Sequence, residues 1–534
     1  MTRTPIPALL LAALLVACPA GGGGGGSLSV NALPDRVDVV QGSTADLGVT
    51  VTRAGTAGPV TLNVTGLPSG VTATTATIPD GSNTGTVTLS AGTAVPQGPL
   101  EATVTASAGS ATKSAPLHLF VRGPAGSLDT TWNATGIVLK QLGANSSAVN
   151  ASLAEPDGTL VVGGYADGDT LGQDDALVAR FTPSGALDAS FGAGGKARLA
   201  FSGVSSHVNA LAFQPDGKIL AAGVVLSTPN QAFLARLNAS GTPDAGFASG
   251  SVDSPLPGVL VIPTPASQAN AVALAPDGTI VLAGSSGASP RKTWVVTSQP
   301  DGLKGAQANF DLAPAHDDNT LNAVVYDPAN HDFIAAGWMG ALGAGNSYDF
   351  AALRFKPTTG APAVPSPSPW GAATYQTFDF GDFDEARAAT LDAQDRLLVA
   401  GTSYKASVAR IQFGVWRLKP DGTPDASFGT GGGVQVGYAG DEGTGIAVTG
   451  GNIVVTGRGQ YSSGSDNDFY LVRLTPAGAL DPAFGTGGRV YTDLDGAHGD
   501  DDARSLSVLP DGRLVVSGVS SGSGGQAAIA RYWN

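Results

Sequence analysis

The 534-residue sequence contains one cysteine, Cys18. No disulfide can staple the chain, so its stability must come from buried apolar surface. Charge is also scarce. Charged residues make up 13% of the chain, about half the share of an ordinary globular protein. Only four acidic residues are Glu: Glu101, Glu155, Glu385 and Glu442. The others are Asp, which favours turns. Basic residues number 28, are scattered, and stand against a net charge of −15. That balance argues against nucleic acid as a partner, because phosphate binding needs clustered Lys and Arg. Beyond the first residues there is no long apolar run, and "IPALLLAALLVA" at 6–17 is too short for a stable bilayer span.

What is abundant is glycine, at 76 residues, within a chain that is 42% hydrophobic. This mixture suits short strands joined by glycine-rich turns. At the N-terminus, Arg3 and the apolar run precede "LVAC". The arrangement resembles a bacterial lipobox, so residues 1–18 are expected to be a lipoprotein signal peptide with Cys18 as the lipidated residue. The acyl chains would anchor an extracytoplasmic protein to a bacterial membrane. Residues 19–26, with six consecutive glycines at 21–26, read as a tether.

Residues 27–122 alternate Thr and Val in "ADLGVTVTR" (45–53), "PVTLNVTGL" (59–67) and "EATVTAS" (101–107). Short alternating strands between turn clusters predict a β-sandwich. "LPSGVTATTATIP" (67–79) resembles bacterial immunoglobulin-like modules, without the Cys–Trp–Cys core of antibody domains.

From 123 onward the sequence repeats. One half of the unit is strand, Asp–Gly turn, strand, as in "NALAFQPDGKILAAG" (209–223), "NAVALAPDGTIVLAG" (270–284) and "RSLSVLPDGRLVVSG" (504–518). Four more copies at 150–164, 322–337, 387–401 and 444–457 are degraded. The other half is also strand–turn–strand, as in "ALVARFTPSGALDASFGAGGKARLAF" (176–201). Each unit therefore holds four strands, A to D, in meander order. The segment "GSLDTTWNATGIVLKQL" (126–142) aligns without a gap to "GALDPAFGTGGRVYTDL" (478–494). It is a strand D with no A, B or C before it, whereas the final unit has no D. Joining the two halves closes a ring and removes exposed sheet edges. The expected fold is all-β: a seven-bladed β-propeller of four-stranded blades over 123–534, closed by this N-terminal strand and preceded by an Ig-like β-sandwich.

The pattern of Asp–Gly hairpins followed by Leu-Asp-x-Ser-Phe-Gly resembles the delta-60 repeat of bacterial exported proteins. That resemblance covers about three quarters of the chain. It implies a propeller outside the cytoplasm and no particular reaction. Two units, at 299–312 and 356–375, lack the Leu-Asp-x-Ser-Phe-Gly stretch, and irregular blades are expected there.

Meander geometry puts A–B and C–D turns on one face of the ring and B–C and D–A loops on the other. The second face varies more in length and carries the acids. Candidate binding residues there are Asp167, Asp169, Asp317, Asp318, Asp382, Asp384, Asp441, Asp466, Asp468, Asp493, Asp495, Asp500 and Asp501. Asp174, Asp175, Asp379, Glu385, Glu442 and Asp502 extend the same clusters. Against this reading stands the ordinary role of Asp as a turn former and solubiliser. Calcium is the one candidate metal, with Asp167, Asp169, Asp493 and Asp495 as ligands, although neither loop fits the twelve-residue calcium pattern. No other cofactor is implied.

Catalytic signals are poor. "GVSSG" (518–522) lacks the strand-to-helix elbow its motif needs, and "FGAGGKA" (191–197) lacks two positions of a phosphate loop. His207, His316 and His498 are expected in D–A links on this face, without metal-ligand spacing. Arg180, Arg236, Arg354, Arg417, Arg473 and Arg531 recur at the end of strand C, and Phe191, Phe247, Phe428 and Phe484 recur beyond it. Repetition in blade after blade indicates architecture.

The expected function is a cell-envelope lipoprotein that acts as a binding scaffold through its acidic loop face, for an envelope protein or polysaccharide. An extracytoplasmic hydrolase or lyase with an Asp/His site at the channel mouth is the first alternative. A purely structural envelope component is the second. A convergent Asp/His/Arg cluster would favour the enzyme, and a broad acidic rim would favour binding.

Overall fold

The structure is a computed structural model that describes residues 27–534, except 35, 169–171, 265, 288–290, 311–317, 341–347, 359–360, 366–369, 371–374, 382, 406–409, 438–439, 461–465, 497–498 and 523–524. Cys18, Asp169, Asp317, Asp382, His316 and His498 lie outside the described residues. The described residues are all-β and form no helix. The described residues divide into two compact units, 27–122 and 123–534.

In the first unit, strands Ser27–Leu33, Thr44–Ala54, Thr84–Ala91 and Val71–Ala73 form one sheet in that order. Strands Arg36–Val40, Ala111–Arg122, Gly98–Ala108, Val60–Thr65 and Ala76–Ile78 form the other. Alternation decides which side chains go inward. In Val60–Thr65, the residues Val60, Leu62 and Val64 are buried while the intervening Thr61, Asn63 and Thr65 face out. They join Leu47, Val49, Leu89, Val104 and Leu119 in one core shared by both sheets, which is the organisation of a sandwich.

The described residues of the second unit form seven sheets: sheet 1 (147–199), sheet 2 (206–262), sheet 3 (268–310), sheet 4 (319–378), sheet 5 (383–436), sheet 6 (442–492) and sheet 7 (501–532). Strands A to D follow one another across each of sheets 1, 2, 3, 5 and 6. Sheet 4 is irregular. Its strand C, Tyr348–Thr358, pairs with both Ala361–Pro365 and Tyr375–Phe378, in the stretch that lacks the Leu-Asp-x-Ser-Phe-Gly motif.

Sheet 7 takes its fourth strand from the start of the unit. Ile137–Lys140 pairs antiparallel with Gln526–Tyr532, in register Val138 to Ile529. Pleating sends Val138 into the core between sheets 7 and 1, and Ile137 and Leu139 into the core between sheets 6 and 7. Strand A of each sheet packs on strand A of the next, and strand A of sheet 7 packs on strand A of sheet 1. The A strands thus encircle a channel, the arrangement of a β-propeller. The cores lie between neighbouring sheets rather than at one centre.

Every strand A contains one extra residue. The register against strand B slips at Asn150, Asn209, Asn270, Asn322, Arg387, Thr444 and Arg504. Each is a β-bulge, which re-aims a side chain and bends the strand. The bulge also explains the glycine that closes each "VAG"-type stretch. A Cβ at Gly401 would lie 1.9 Å from the Glu385 carbonyl oxygen, and one at Gly518 would lie 1.8 Å from that of Asp502. Only glycine lets the bulged carbonyl come so close.

A second repeated device lies on the A–B/C–D side. Arg180 donates to Asp188 (2.7 Å) and stacks on Phe191 at 4.9 Å. Arg236, Arg417 and Arg473 make the same pair of contacts with Asp244 and Phe247, Asp425 and Phe428, and Asp481 and Phe484. Arg180, Arg236 and Arg417 also donate to a carbonyl in the next sheet's turn, at Ala239, Pro300 and Pro476. At the seam, Arg531 uses Asp129 (2.8 Å) and Trp132 (5.2 Å) from the N-terminal segment. Sheet 4 has no such Asp in its C–D segment, and Arg354 takes Asp327 and Asp332 from the A–B turn instead. These arginines are structural, as their repetition implies.

Candidate binding site in the central channel

The bulge residues converge. All seven line one cavity of about 540 Å³, together with Glu442, Arg458, Asp502 and Ala503. Glu442 and Asp502 lie at the beginning of their A strands and Arg458 near the end of its B strand. The charged part of the cavity therefore lies toward the B–C/D–A side.

Four of the bulge positions are asparagine, and each carboxamide reaches across to the next sheet. Asn150 Nδ2 donates to the Val208 carbonyl (2.9 Å), Asn209 to Ala269 (2.9 Å), Asn270 to Leu321 (3.0 Å) and Asn322 to Ala386 (2.8 Å). Thr444 Oγ1 does the same to Ala503 (2.8 Å). Arg504 Nη1 completes the circuit by donating to Asn150 Oδ1 (2.9 Å). The circuit breaks at Arg387, whose Nη2 instead donates to Glu385 Oε2 of its own strand (2.8 Å).

Sheets 1 to 4 thus present neutral carboxamides, whereas sheets 5 to 7 present charge. Arg458 sits between two carboxylates, 2.6 Å from Glu442 Oε1 and 3.3 Å from Asp502 Oδ1. Burial works against its charge, but the two carboxylates outweigh that and raise its pKa above the ordinary value. Three guanidinium groups and two carboxylates line this cavity in a chain of net charge −15. The side chains of Arg387, Arg458 and Arg504 remain about one third exposed, at 40%, 36% and 31%, so they are accessible to a ligand.

The Asp residues expected on this face have several different roles. Asp167 braces the D–A link into sheet 1, accepting from Asn145 N (2.8 Å) and Nδ2 (2.7 Å). Asp500 is exposed and does the same for Asn467. Asp318 accepts from Arg291 (2.8 and 2.9 Å), and that guanidinium holds its carboxyl below the ordinary value. Asp466, Asp493 and Asp495 are half-buried. Asp384, Asp441, Asp468 and Asp501 are buried. Burial pushes the Asp384 carboxyl up to about 7 and that of Asp501 up to about 6. Their position at the start of strand A is occupied by Ser147, Ser206 and Ser267 in sheets 1 to 3 and by Asn319 in sheet 4.

His207 is part of strand A of sheet 2 rather than of the link before it. Its ring stacks on Tyr165 at 4.1 Å, and Nε2 is 3.4 Å from Asp174 Oδ2. Burial lowers its pKa in spite of Asp174, which leaves a neutral imidazole at neutral pH. A second cavity, of about 340 Å³, lies between sheets 3 and 4 on the A–B side, lined by Tyr326, His331, Phe333 and Lys356 among others.

The reading of loops and acid clusters missed the Asn positions, Arg387, Arg458 and Arg504. The signal was nevertheless present. The first letters of the seven A–B repeats run Asn, Asn, Asn, Asn, Arg, Thr, Arg, and the three departures mark the charged side of the channel.

A family described as "Domain of unknown function (DUF5122) beta-propeller" matches residues 155–191, 214–247, 395–428 and 451–484. A family described as "WD domain, G-beta repeat" matches 195–227. Each DUF5122 match runs from an A–B turn to the recurring Phe beyond strand C. No curated protein matches the chain. Among solved structures, the chain resembles a quinonprotein alcohol dehydrogenase-like protein from Bacteroides thetaiotaomicron at 9% identity, over 87% of this chain and 97% of that one, with a TM-score of 0.28. An exo-beta-1,3-galactanase from Clostridium thermocellum matches at 11% identity over 82% and 92%, with a TM-score of 0.26. A GH5 xyloglucanase from Bacteroides ovatus matches at 15% identity and a TM-score of 0.14 over 20% of this chain, which spans about a fifth of that enzyme's length (21%).

Proposed function

We propose that this chain is an exported binding scaffold: a seven-bladed propeller of delta-60-type repeats behind an Ig-like module, held at a bacterial membrane by lipid on Cys18. Its ligand enters from the B–C/D–A loop side and is held in the channel. The observation that carries this reading is the break in symmetry at the bulge positions. A ring that only needed to close would repeat asparagine in every sheet. Sheets 5 and 7 instead carry Arg387 and Arg504 there, and Arg458 joins them from strand B of sheet 6.

Guanidinium groups recognise carboxylates through paired donors, and carboxamides suit hydroxyl groups. A cavity of about 540 Å³ accommodates a few sugar rings. The ligand class that fits is a carboxylate-bearing oligosaccharide. Binding is favoured over turnover because both carboxylates lining the cavity are already engaged by Arg458, and a free acid–base pair is the usual requirement for glycoside chemistry. The hydrolase or lyase alternative draws on the neutral His207 beside Asp174. It predicts a product and a rate lost in His207→Ala.

Calorimetric titration of the purified protein with trigalacturonate and, in parallel, maltotriose tests the reading. Saturable, salt-sensitive binding of the acidic sugar alone is expected, lost when Arg387 and Arg504 both become Ala. No binding of either sugar, or binding indifferent to those two residues, would remove it.

A further inference from the structure

One group of carboxylates stands apart from the channel. Asp468 opens strand C of sheet 6, Asp493 follows strand D of sheet 6, and Asp501 opens strand A of sheet 7. One oxygen from each lies within 4.8 Å of the others, and this is the one such group among the described residues. Asp501 is fully buried. Its Oδ2 accepts from Leu494 N (2.8 Å), and its Oδ1 has no hydrogen-bond partner. The Ser520 hydroxyl faces it from strand B and favours the ionised carboxylate.

The corresponding serines of other sheets show what the position needs structurally. Ser206 Oγ accepts from Ala176 N (3.0 Å) and donates to the Leu199 carbonyl (3.3 Å). A hydroxyl does both jobs. A carboxylate has no proton to give, so Asp501 meets the backbone need less well while bringing a charge into a dry site. Placing further carboxylates beside it costs free energy unless a cation compensates.

We propose that Asp468, Asp493 and Asp501 bind a divalent cation of the calcium class and so fasten sheet 6 to sheet 7. Oxygens bound to one calcium at about 2.4 Å lie no more than about 4.8 Å apart, and these three oxygens fall within that limit. Irregular oxygen sets drawn from separate elements suit calcium, which tolerates varied geometry. The site differs from a calcium loop. Of the ligands expected within 493–502 it keeps Asp493, and it recruits Asp468 from a strand 25 residues earlier. Its place is informative, because sheet 7 is the sheet completed by the two ends of the unit. Asp502, the next residue after Asp501, lines the channel, so the ion would also steady that wall.

The test is calcium titration of the chelator-treated full-length protein, followed by calorimetry, thermal melting and terbium luminescence sensitised by the adjacent Tyr532. The expected result is a saturable calcium site that raises Tm, with terbium displaced by calcium. Asp493→Asn, at a half-buried position, is expected to weaken calcium binding by roughly tenfold or more. Asp501→Asn is expected to abolish binding, while Asp384→Asn, at the same position of sheet 5, leaves it unchanged. Absence of saturable calcium binding to the parent protein, or full affinity in both Asp493→Asn and Asp501→Asn, would overturn the proposal.

Discussion

The outer belt and the channel ring are built from the same repeat and differ in how strictly they obey it. In the belt, an arginine with an aspartate and an aromatic ring recurs in six sheets; sheet 4 replaces missing partners with Asp327, Asp332 and Trp370, and sheet 3 has Thr297 at the arginine position. In the ring, the backbone bulge is kept in all seven sheets, but the side chain on it changes. Where geometry repeats and chemistry repeats with it, the residues hold the sheets together. Where geometry repeats and chemistry departs, the residues are free to do something else.

The sharpest way to break this contrast is at the seam of the belt. Asp129 is fully buried and accepts from Arg531 (2.8 Å) and Arg513 (2.6 Å). Asp129→Ala leaves buried guanidinium without its counter-charge and should cost about 3–5 kcal/mol in denaturant unfolding. The same change at Asp188, whose pair with Arg180 is partly exposed, should cost only about 1 kcal/mol. Equal losses would mean that the seam is no different from the other junctions.

Gly518→Ala comes next. The added methyl group meets the Asp502 carbonyl, so the bulge must move, at about 1–3 kcal/mol. The accompanying shift of Asp502 should also weaken ligand binding. Retained stability and retained affinity would show that the bulge is not required.

Asp384 gives a smaller, pH-dependent effect. Its folded pKa, about 7, lies above the ordinary 3.8. The folded state therefore binds the proton more tightly, and stability falls as pH rises from about 4 through about 7. Asp384→Asn should remove this fall and exceed the parent in stability by on the order of 1–2 kcal/mol near pH 8, with a smaller gap near pH 5. Melting curves at the two pH values decide it, and a gap that is constant with pH would contradict the assignment. The smallest stability change belongs to the channel: Arg387→Ala, at a partly exposed ion pair, should cost under about 1 kcal/mol while ligand affinity drops at least about tenfold.

Much of the fold could be read from the sequence because strands and turns are local. Asp–Gly turns between apolar strands announce hairpins, and the alignment of 126–142 with 478–494 anticipated the pairing of Ile137–Lys140 with Gln526–Tyr532. The site was less legible. Aspartates in loops suggest an open acidic face, but register and burial place Asp384, Asp441, Asp468 and Asp501 inside. Burial depends on neighbouring sheets, which local sequence does not describe. The channel residues sit within strands rather than loops, and they meet only because the ring brings seven distant positions to one axis. His207 shows the same limit at smaller scale: its stacking on Tyr165 joins two sheets.

The most direct test of the account is a hydrogen-exchange comparison of the protein with and without saturating trigalacturonate. Added protection confined to 385–388, 442–445 and 502–505, with none at the belt residues 180–192 or 473–485, is the predicted result. Protection at the belt, or at outer loops alone with the channel strands unchanged, would contradict the claim that function resides where the ring departs from its repeat.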